Sequence, residues 1–173
     1  MKRISVTGLL VLICILVSLA ACGGGGGGGG GSTTPAPTQA VLTLSTSGTG
    51  TIAGIEVTVN LPAGVTAKAT AAPGNPSVFV ADVGVVTSAG SATGAEAAMA
   101  TFVTSTTSST SKLMVYVAKS SGFTTGNYAV IKCDIAAGHV PAAANFSVSD
   151  FQPVDVDGAA MTSITPGLAV VMK

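Results

Sequence analysis

Nine consecutive glycines occupy residues 23–31 of this 173-residue chain and divide it into two parts. Glycine has no Cβ and adopts φ of either sign, so a run of glycines gains nothing by packing and behaves as a flexible coil. The Ser, Thr and Pro residues at 32–38 also lack a side chain large enough to pack. We therefore expect a linker over residues 22–39 and a folded part that begins near Ala40.

The folded part, residues 40–173, has the length of one domain with one core. Hydrophobic residues make up 47% of the chain and aromatic residues only 4%, so the core must be built mainly from small side chains. Charged residues are 8% of the chain and their formal sum is zero, which provides no basic surface for binding nucleic acid. We expect no nucleic-acid partner.

Short β-rich runs separated by Gly, Pro, Asn and Ser/Thr clusters follow Ala40, a spacing typical of a sandwich or barrel. In residues 55–61, apolar side chains alternate with Glu56, Thr58 and Asn60, which predicts a strand with one buried face. The connections are too short and too polar for the crossover helices that parallel strands need. The sequence therefore predicts an all-β fold, an antiparallel jelly-roll-like β-sandwich of about eight or nine strands, preceded by a signal helix and a Gly-rich tether.

One window of the sequence fits two local structures. Residues 95–99 are compatible with a helical turn, whereas residues 98–104 are equally compatible with a strand. Helix and strand therefore both remain open for residues 95–99.

The chain begins with the features of a secretory signal. Lys2 and Arg3 form a basic head, and residues 9–19 are apolar except for Ser18. This apolar stretch is too short for a comfortable membrane span. It ends in small residues directly before a cysteine, in the order Leu19, Ala20, Ala21 and Cys22. The motif resembles the lipobox of bacterial lipoproteins.

The lipobox resemblance implies that residues 1–21 are a signal peptide and that the Cys22 thiol carries a diacylglycerol. Two or more acyl chains anchor a protein stably in a membrane, whereas a single chain holds it only marginally. Gly23 stands where Asp usually retains a lipoprotein at the inner membrane of Gram-negative bacteria. We expect a lipid-anchored protein of the cell envelope, at the outer membrane or cell surface. The alternative is an ordinary signal peptide that leaves Cys22 as a free thiol.

Three segments of the folded part carry a second resemblance: residues 54–62, 126–133 and 146–158. A Gly-led early strand closed by Pro, a late strand that opens with Gly and an aromatic residue, and a final hairpin turning on Asp-Gly resemble cohesin domains and the carbohydrate-binding modules that share their jelly-roll sandwich. The resemblance implies a binding module. This sequence departs from the family at Ile55, where cohesins often carry an aromatic residue, and in a longer connection over residues 136–144.

The sequence offers little catalytic machinery. His139 is the single histidine, so a Ser/His/Asp or Cys/His relay would depend on it. No Gly-x-Ser-x-Gly nucleophile motif accompanies it, and we expect a loop histidine. Paired carboxylates for glycoside hydrolysis need one acid in an apolar pocket beside another, whereas the acids here lie near turns, at Asp134, Asp150, Asp155 and Asp157. We interpret them as solvated turn acids and expect no enzyme.

Asp155 and Asp157 stand two residues apart beside Gly158, as carboxylates do in calcium loops, and Asp150 is near enough in sequence to contribute. The remaining oxygen ligands and the terminal Glu of an EF-hand are missing. We therefore expect a turn in which Asp-Gly supplies the backbone φ, with no cofactor. Calcium held by the three aspartates is the alternative.

Cys133 is the one cysteine left in the mature domain once Cys22 is acylated, which excludes an internal disulfide. We expect it to pack as a small apolar side chain, with an exposed, dimer-forming thiol as the alternative. The chain has no Trp and only Tyr116 and Tyr128, so it lacks the aromatic platforms on which sugar-binding modules stack pyranose rings. A protein partner on a flat sheet face needs no such platform.

The sequence is therefore interpreted as a non-enzymatic, lipid-anchored module that presents its β-sandwich to a protein or polysaccharide partner. One alternative is a structural envelope or matrix lipoprotein without a discrete ligand. Another is a small hydrolase, which an activity lost on His139→Ala would favour. A saturable, stoichiometric partner distinguishes the binding module from the structural protein.

Overall fold

The computed structural model of this protein describes residues 35–104 and 110–173. The predicted signal helix, the Gly-rich tether and Cys22 lie outside these residues. The folded part, from Pro35 to Lys173, is one compact unit. Its described helices are two short 3₁₀ turns, Gly90–Ala92 and Ala143–Asn145. Neither of these is long and apolar enough to span a membrane.

Eleven strands account for most of the described residues, which confirms the all-β prediction. In chain order they are β1 Gln39–Ser47, β2 Ile52–Leu61, β3 Val65–Thr66, β4 Ala69–Ala72, β5 Asn75–Ala81, β6 Val86–Ser88, β7 Ala97–Thr104, β8 Ser111–Phe123, β9 Gly126–Ile135, β10 Ser147–Val154 and β11 Thr165–Met172. The number exceeds the predicted eight or nine, and three of the strands, β3, β4 and β6, have only two to four residues each.

The strands form two antiparallel sheets. In the five-stranded sheet, β11, β1 and β9 lie side by side, and β3 and β6 both pair with the far side of β9. The six-stranded sheet has the order β10-β2-β8-β7-β5-β4. Consecutive strands such as β1 and β2 lie in different sheets, so the chain repeatedly crosses between them. The predicted antiparallel β-sandwich is confirmed.

The core lies between the two sheets and consists mostly of small aliphatic side chains. Alternation along each strand turns one face inward. Leu42, Val57, Val115 and Ile131, from four different strands, are all fully buried. Burial of each such side chain contributes about 1.5–3 kcal/mol relative to exposure.

The structure resolves one open alternative and corrects one expectation. Ala97–Thr104 is strand β7, so the helical alternative for residues 95–99 is wrong at residues 97–99. The predicted final hairpin on Asp-Gly is also wrong, because β10 and β11 lie in different sheets. The turn instead folds the chain back so that Ala160 forms a single antiparallel bridge with Val154.

Gly48 lies in the turn between β1 and β2 with a φ of +117°. Any side chain is strained at this φ, and a Cβ built there would overlap the backbone carbonyl oxygen of Ser163. We expect Gly48→Ala to lower the free energy of unfolding by about 2 kcal/mol, because the backbone of Ser163 must move to relieve the overlap. Urea denaturation of the two proteins measures this loss.

Gly158→Ala is the matched control for the Gly48 substitution. Gly158 also has a positive φ, +79°, but a Cβ there would have no neighbour within 4 Å. We expect a loss of about 1 kcal/mol from the left-handed backbone conformation alone. Equal losses at the two positions would contradict the proposed overlap at Gly48.

Candidate functional site

The outward side of the six-stranded sheet is here called the outer face, and it belongs to the larger of the two sheets by strand number. Strand register aligns its side chains in rows that run across β10, β2, β8 and β7, with β5 joining one row. Three of these rows are Gln152, Glu56, Tyr116, Met99; Ser149, Thr58, Met114, Thr101, Val80; and Ser147, Asn60, Lys112, Val103.

The part of the outer face formed by β10 and β2 is polar and internally paired. Asn60 Nδ2 donates hydrogen bonds to Ser147 Oγ at 3.2 Å and to Ser149 Oγ at 3.3 Å. Thr58 points outward but is only 6% exposed, because its neighbours on the flanking strands cover it. This half is a polar surface on which Asn60, Ser147 and Ser149 are already hydrogen-bonded.

The part formed by β8, β7 and β5, here called the apolar half, exposes several apolar side chains, with Lys112 and Thr101 beside them in the same rows. Met99 is 54% exposed, Val103 48% and Val80 40%. Together with Val78, they are four of the eight exposed large hydrophobic side chains among the described residues. A contiguous exposed apolar patch on a monomer often marks an interaction site, so this half is the candidate functional surface.

A groove of about 250 Å³ opens on the outer face between β10 and β8. Gly54 and Ala118, which have little or no side chain, lie between Val154 on one side and Tyr116 on the other. A Cβ at Gly54 would lie 3.0 Å from Cγ2 of Val154, so any larger residue there would narrow the groove. The groove adds a recess to an otherwise flat surface.

Tyr116 lies between Glu56 and Met99 in one row of the outer face. Its hydroxyl lies 3.5 Å from Glu56 Oε1, a long contact for a hydrogen bond. Desolvation, and to a lesser extent the negative charge of Glu56, raises the pKa of Tyr116. The hydroxyl therefore stays protonated at neutral pH and can donate a hydrogen bond to a bound molecule.

Asp150, Asp155 and Asp157 lie at two separate bends, whereas Asp134 lies half-buried within strand β9, so the turn-acid prediction is wrong for Asp134. Asp155 Oδ1 accepts backbone N–H bonds from Asp157 at 2.9 Å and from Ala159 at 2.8 Å, so it builds the turn itself. Asp150, at a bulge in β10, has a φ of +50°, and its Oδ2 accepts a bond from the Ser149 hydroxyl. Within residues 35–104 and 110–173, no group of three or more acidic, His or Cys side chains is placed to hold a metal.

His139 lies in the exposed turn that follows β9, as predicted for a loop histidine. Its backbone N–H donates to the carbonyl of Ala136 at 3.1 Å, and a Cβ at Gly64 would overlap its imidazole ring. The ring also borders an open cavity of about 420 Å³, together with Pro62 and Asn145. The turn and the contact at Gly64 position this side chain.

Cys133 is 1% exposed on the inward face of β9, which confirms that it packs as a small apolar side chain. The alternative of an exposed thiol is wrong. Burial, assisted by the nearby negative charge of Asp134, raises the pKa of Cys133 to about 12. The thiol is therefore protonated and unreactive at neutral pH.

A charged cleft of about 380 Å³ lies beside residues 82–85. Two lysines and two aspartates line it: Lys68, Lys132, Asp82 and Asp134. Asp82 already accepts a hydrogen bond from the Thr70 hydroxyl at 2.7 Å. Because the positive and negative charges balance, the cleft does not select a ligand of either sign, and it is the weaker candidate.

The apolar half of the outer face was not found from the sequence. In β7, Ala98, Ala100 and Phe102 face inward while Met99 and Val103 face outward, so both faces of the strand are apolar. An alternating pattern identifies a free face only when one side is polar. Within residues 97–103, Thr101 is the one polar residue, and it lies on the outward side.

No family model matches this chain, and no curated protein or solved structure matches it either. The fold and surfaces define a class only coarsely, as an antiparallel β-sandwich with one open, partly apolar sheet face. The type of molecule that the outer face can bind is determined by its exposed side chains, among them Met99, Val103 and Val80.

Proposed function

We propose that this chain is a non-enzymatic, lipid-anchored binding module of a bacterial cell envelope, placed at the outer membrane or cell surface. It binds a protein partner through the outer face of the six-stranded sheet. The observation that carries the binding proposal is the exposed apolar half of that face, formed by Met99, Val103 and Val80. The signal segment and the motif that ends at Cys22 support the lipid anchor.

The chemistry of the outer face favours a protein partner over a glycan. Sugar rings stack on exposed aromatic faces, yet Tyr128 is fully buried and Tyr116 is only partly exposed beside Glu56. Protein interfaces combine an apolar centre with a polar, hydrogen-bonding rim. The outer face offers both kinds of contact, since the exposed apolar side chains of β7 and β5 adjoin Lys112 and the polar side chains of β2 and β10.

The side chains most suited to nucleophilic or acid-base chemistry also favour a binding role. The Cys133 thiol is buried and protonated at neutral pH. His139 lies in an exposed turn, held by its backbone bond to Ala136. Asp155 uses one carboxylate oxygen to hold its own turn. Cys133 and Asp155 therefore have structural roles, which supports the non-enzymatic proposal.

Met99→Asp is expected to weaken partner binding by about 30-fold or more, because it buries a carboxylate in the apolar centre of the interface. The full-length protein, solubilised from membranes with detergent, is used to capture envelope proteins, and binding of the captured partner is then titrated. Thr87→Asp is the matched control. Thr87 is exposed on the other sheet, so the same charge there should leave binding unchanged.

A saturable partner whose binding Met99→Asp reduces and Thr87→Asp preserves supports the proposal. If neither Met99→Asp nor Thr87→Asp changes the affinity for the partner, the interface lies elsewhere and the proposal is contradicted. Self-association alone, with no second protein captured, would favour the structural alternative.

A further inference from the structure

Strand β11 forms one edge of the five-stranded sheet, where it pairs only with β1. The pairing continues without a register shift over eight residues, from Ser47 and Thr165 to Ala40 and Met172. No charged residue lies between Thr165 and Met172. A long, flat, uncharged edge strand is a template for pairing with another strand.

The other sheet edges among the described strands are closed to such pairing. In β10, a register shift and the positive φ of Asp150 interrupt the strand. Residues 159–161 then cover its end, where the Met161 N–H donates to the Pro153 carbonyl at 3.0 Å. Strands β3, β4 and β6 have only two to four residues each. Natural proteins protect sheet edges by such bulges, coverings and short strands. Strand β11 has no bulge and is eight residues long; Pro166, which lacks an N–H, lies near its start, and the 3₁₀ turn Ala143–Asn145 lies near the strand.

The pairing of Lys173, directly after β11, shows which backbone groups of β11 point toward β1 and which point toward the free edge. Gln39 and Lys173 exchange both backbone bonds, at 3.0 Å and 2.8 Å, so they form a hydrogen-bonded pair. Such pairs alternate along an antiparallel ladder. Leu168, Val170 and Met172 therefore direct their backbone N–H and C=O groups away from β1, toward the free edge.

We infer that β11 pairs with β11 of a second copy of this chain, antiparallel about a two-fold axis at Val170. This register places Leu168 opposite Met172 of the second copy and pairs all three free N–H groups of each strand. The half-buried side chains of Leu168, Val170 and Met172, which pack at the open border of the core, then cover one another. The second copy fits because this uncharged strand opposes no like charges when it is paired with itself.

This pairing is independent of the lipid anchor and leaves the outer face of the other sheet free.

Opposed residues 169 and 171 form non-hydrogen-bonded pairs, whose Cα atoms lie about 4.5 Å apart, a separation that allows a disulfide. The first test is the double variant Ala169→Cys with Val171→Cys in the full-length chain, purified in detergent and oxidised. We expect a covalent dimer on a non-reducing gel.

Ser147→Cys with Ser149→Cys is the matched control, because it places two outward cysteines at the same spacing on the interrupted edge strand β10. The unaltered chain gives the background from its own cysteines. A dimer from the β11 variant at several times the control level supports the inference. Equal amounts from the two variants, or a β11 variant that stays monomeric, overturn it.

A second test requires no covalent bond. Ala169→Lys with Val171→Lys puts an ammonium group of each copy opposite one of the other, while the β1 hydrogen bonds remain. We expect the dimer dissociation constant, measured by light scattering of the full-length chain in detergent, to rise about tenfold or more. Ser147→Lys with Ser149→Lys should leave it unchanged. An unchanged constant in the β11 variant overturns the inference.

Discussion

Cys22→Ser is expected to abolish fatty-acid attachment to this protein completely. Under the proposal, the Cys22 thiolate is the nucleophile that takes the diacylglycerol, and a serine hydroxyl is far less nucleophilic at neutral pH. Without the lipid, the protein also loses the two or more acyl chains that hold it stably in a membrane. Metabolic labelling with an alkyne fatty acid, followed by mass spectrometry of the mature N-terminal peptide, measures the loss.

Two other cysteines provide controls for this experiment. Cys14 lies within the proposed signal peptide, and Cys133 is buried in the core. Cys14→Ser and Cys133→Ala should therefore both retain the label at the level of the unaltered protein. Label that persists in Cys22→Ser, or an unaltered protein whose N-terminal peptide carries a free thiol, would contradict the proposed anchor.

Strand β2 shows what the sequence predicts well. The predicted inward residues Ile55, Val57 and Val59 are all buried, because alternation along one strand depends only on local geometry. Thr58 lies on the face of β2 that alternation predicts to be exposed to solvent, yet its side chain is only 6% exposed. Its burial depends on side chains from the flanking strands β10 and β8, and the sequence of β2 alone does not contain that information.

Sheet order and the candidate site depend on contacts between distant residues. The Asp-Gly turn after β10 was expected to close a hairpin, but it leads into a segment that crosses to the other sheet. The exposure of Met99 and Val103 also could not be predicted from the sequence of β7. Both faces of this strand are apolar, so packing against the other sheet determines which face is exposed to solvent. Turn chemistry and alternation specify strands, whereas the pairing of strands specifies surfaces.

Raising the pH from 7 to 11 is expected to lower the free energy of unfolding by about 4 kcal/mol through two buried groups of β9. Burial raises the pKa of Cys133 from 9.0 to about 12. It also raises the pKa of Tyr128 above its ordinary value of 10.0. The Tyr128 side chain is fully buried, and its hydroxyl has no hydrogen-bond partner among the described residues to stabilise a phenolate.

The sign of this effect follows from proton binding. Above pH 9 the unfolded chain releases the Cys133 proton, and above pH 10 the Tyr128 proton, while the folded protein keeps both. Stability is therefore fully present below pH 9 and falls by about 1.4 kcal/mol per pH unit for each group beyond its unfolded pKa. At pH 11 the solution is about two pH units above the unfolded pKa of Cys133 and about one pH unit above that of Tyr128, which together give the expected loss of about 4 kcal/mol. This loss is large beside the ~5–15 kcal/mol free energy of unfolding of a typical domain.

Urea denaturation at pH 7, 9, 10 and 11 measures this loss. The double variant Cys133→Ala with Tyr128→Phe removes both titrating groups while keeping apolar side chains in the core. We expect its stability to fall by less than about 1 kcal/mol over the same range. All other ionisable side chains, including the partly exposed Tyr116, are the same in both proteins, so the difference between the two profiles isolates the buried groups. Parallel profiles would show that Cys133 and Tyr128 lose their protons while the protein stays folded, and the expected destabilisation would be wrong.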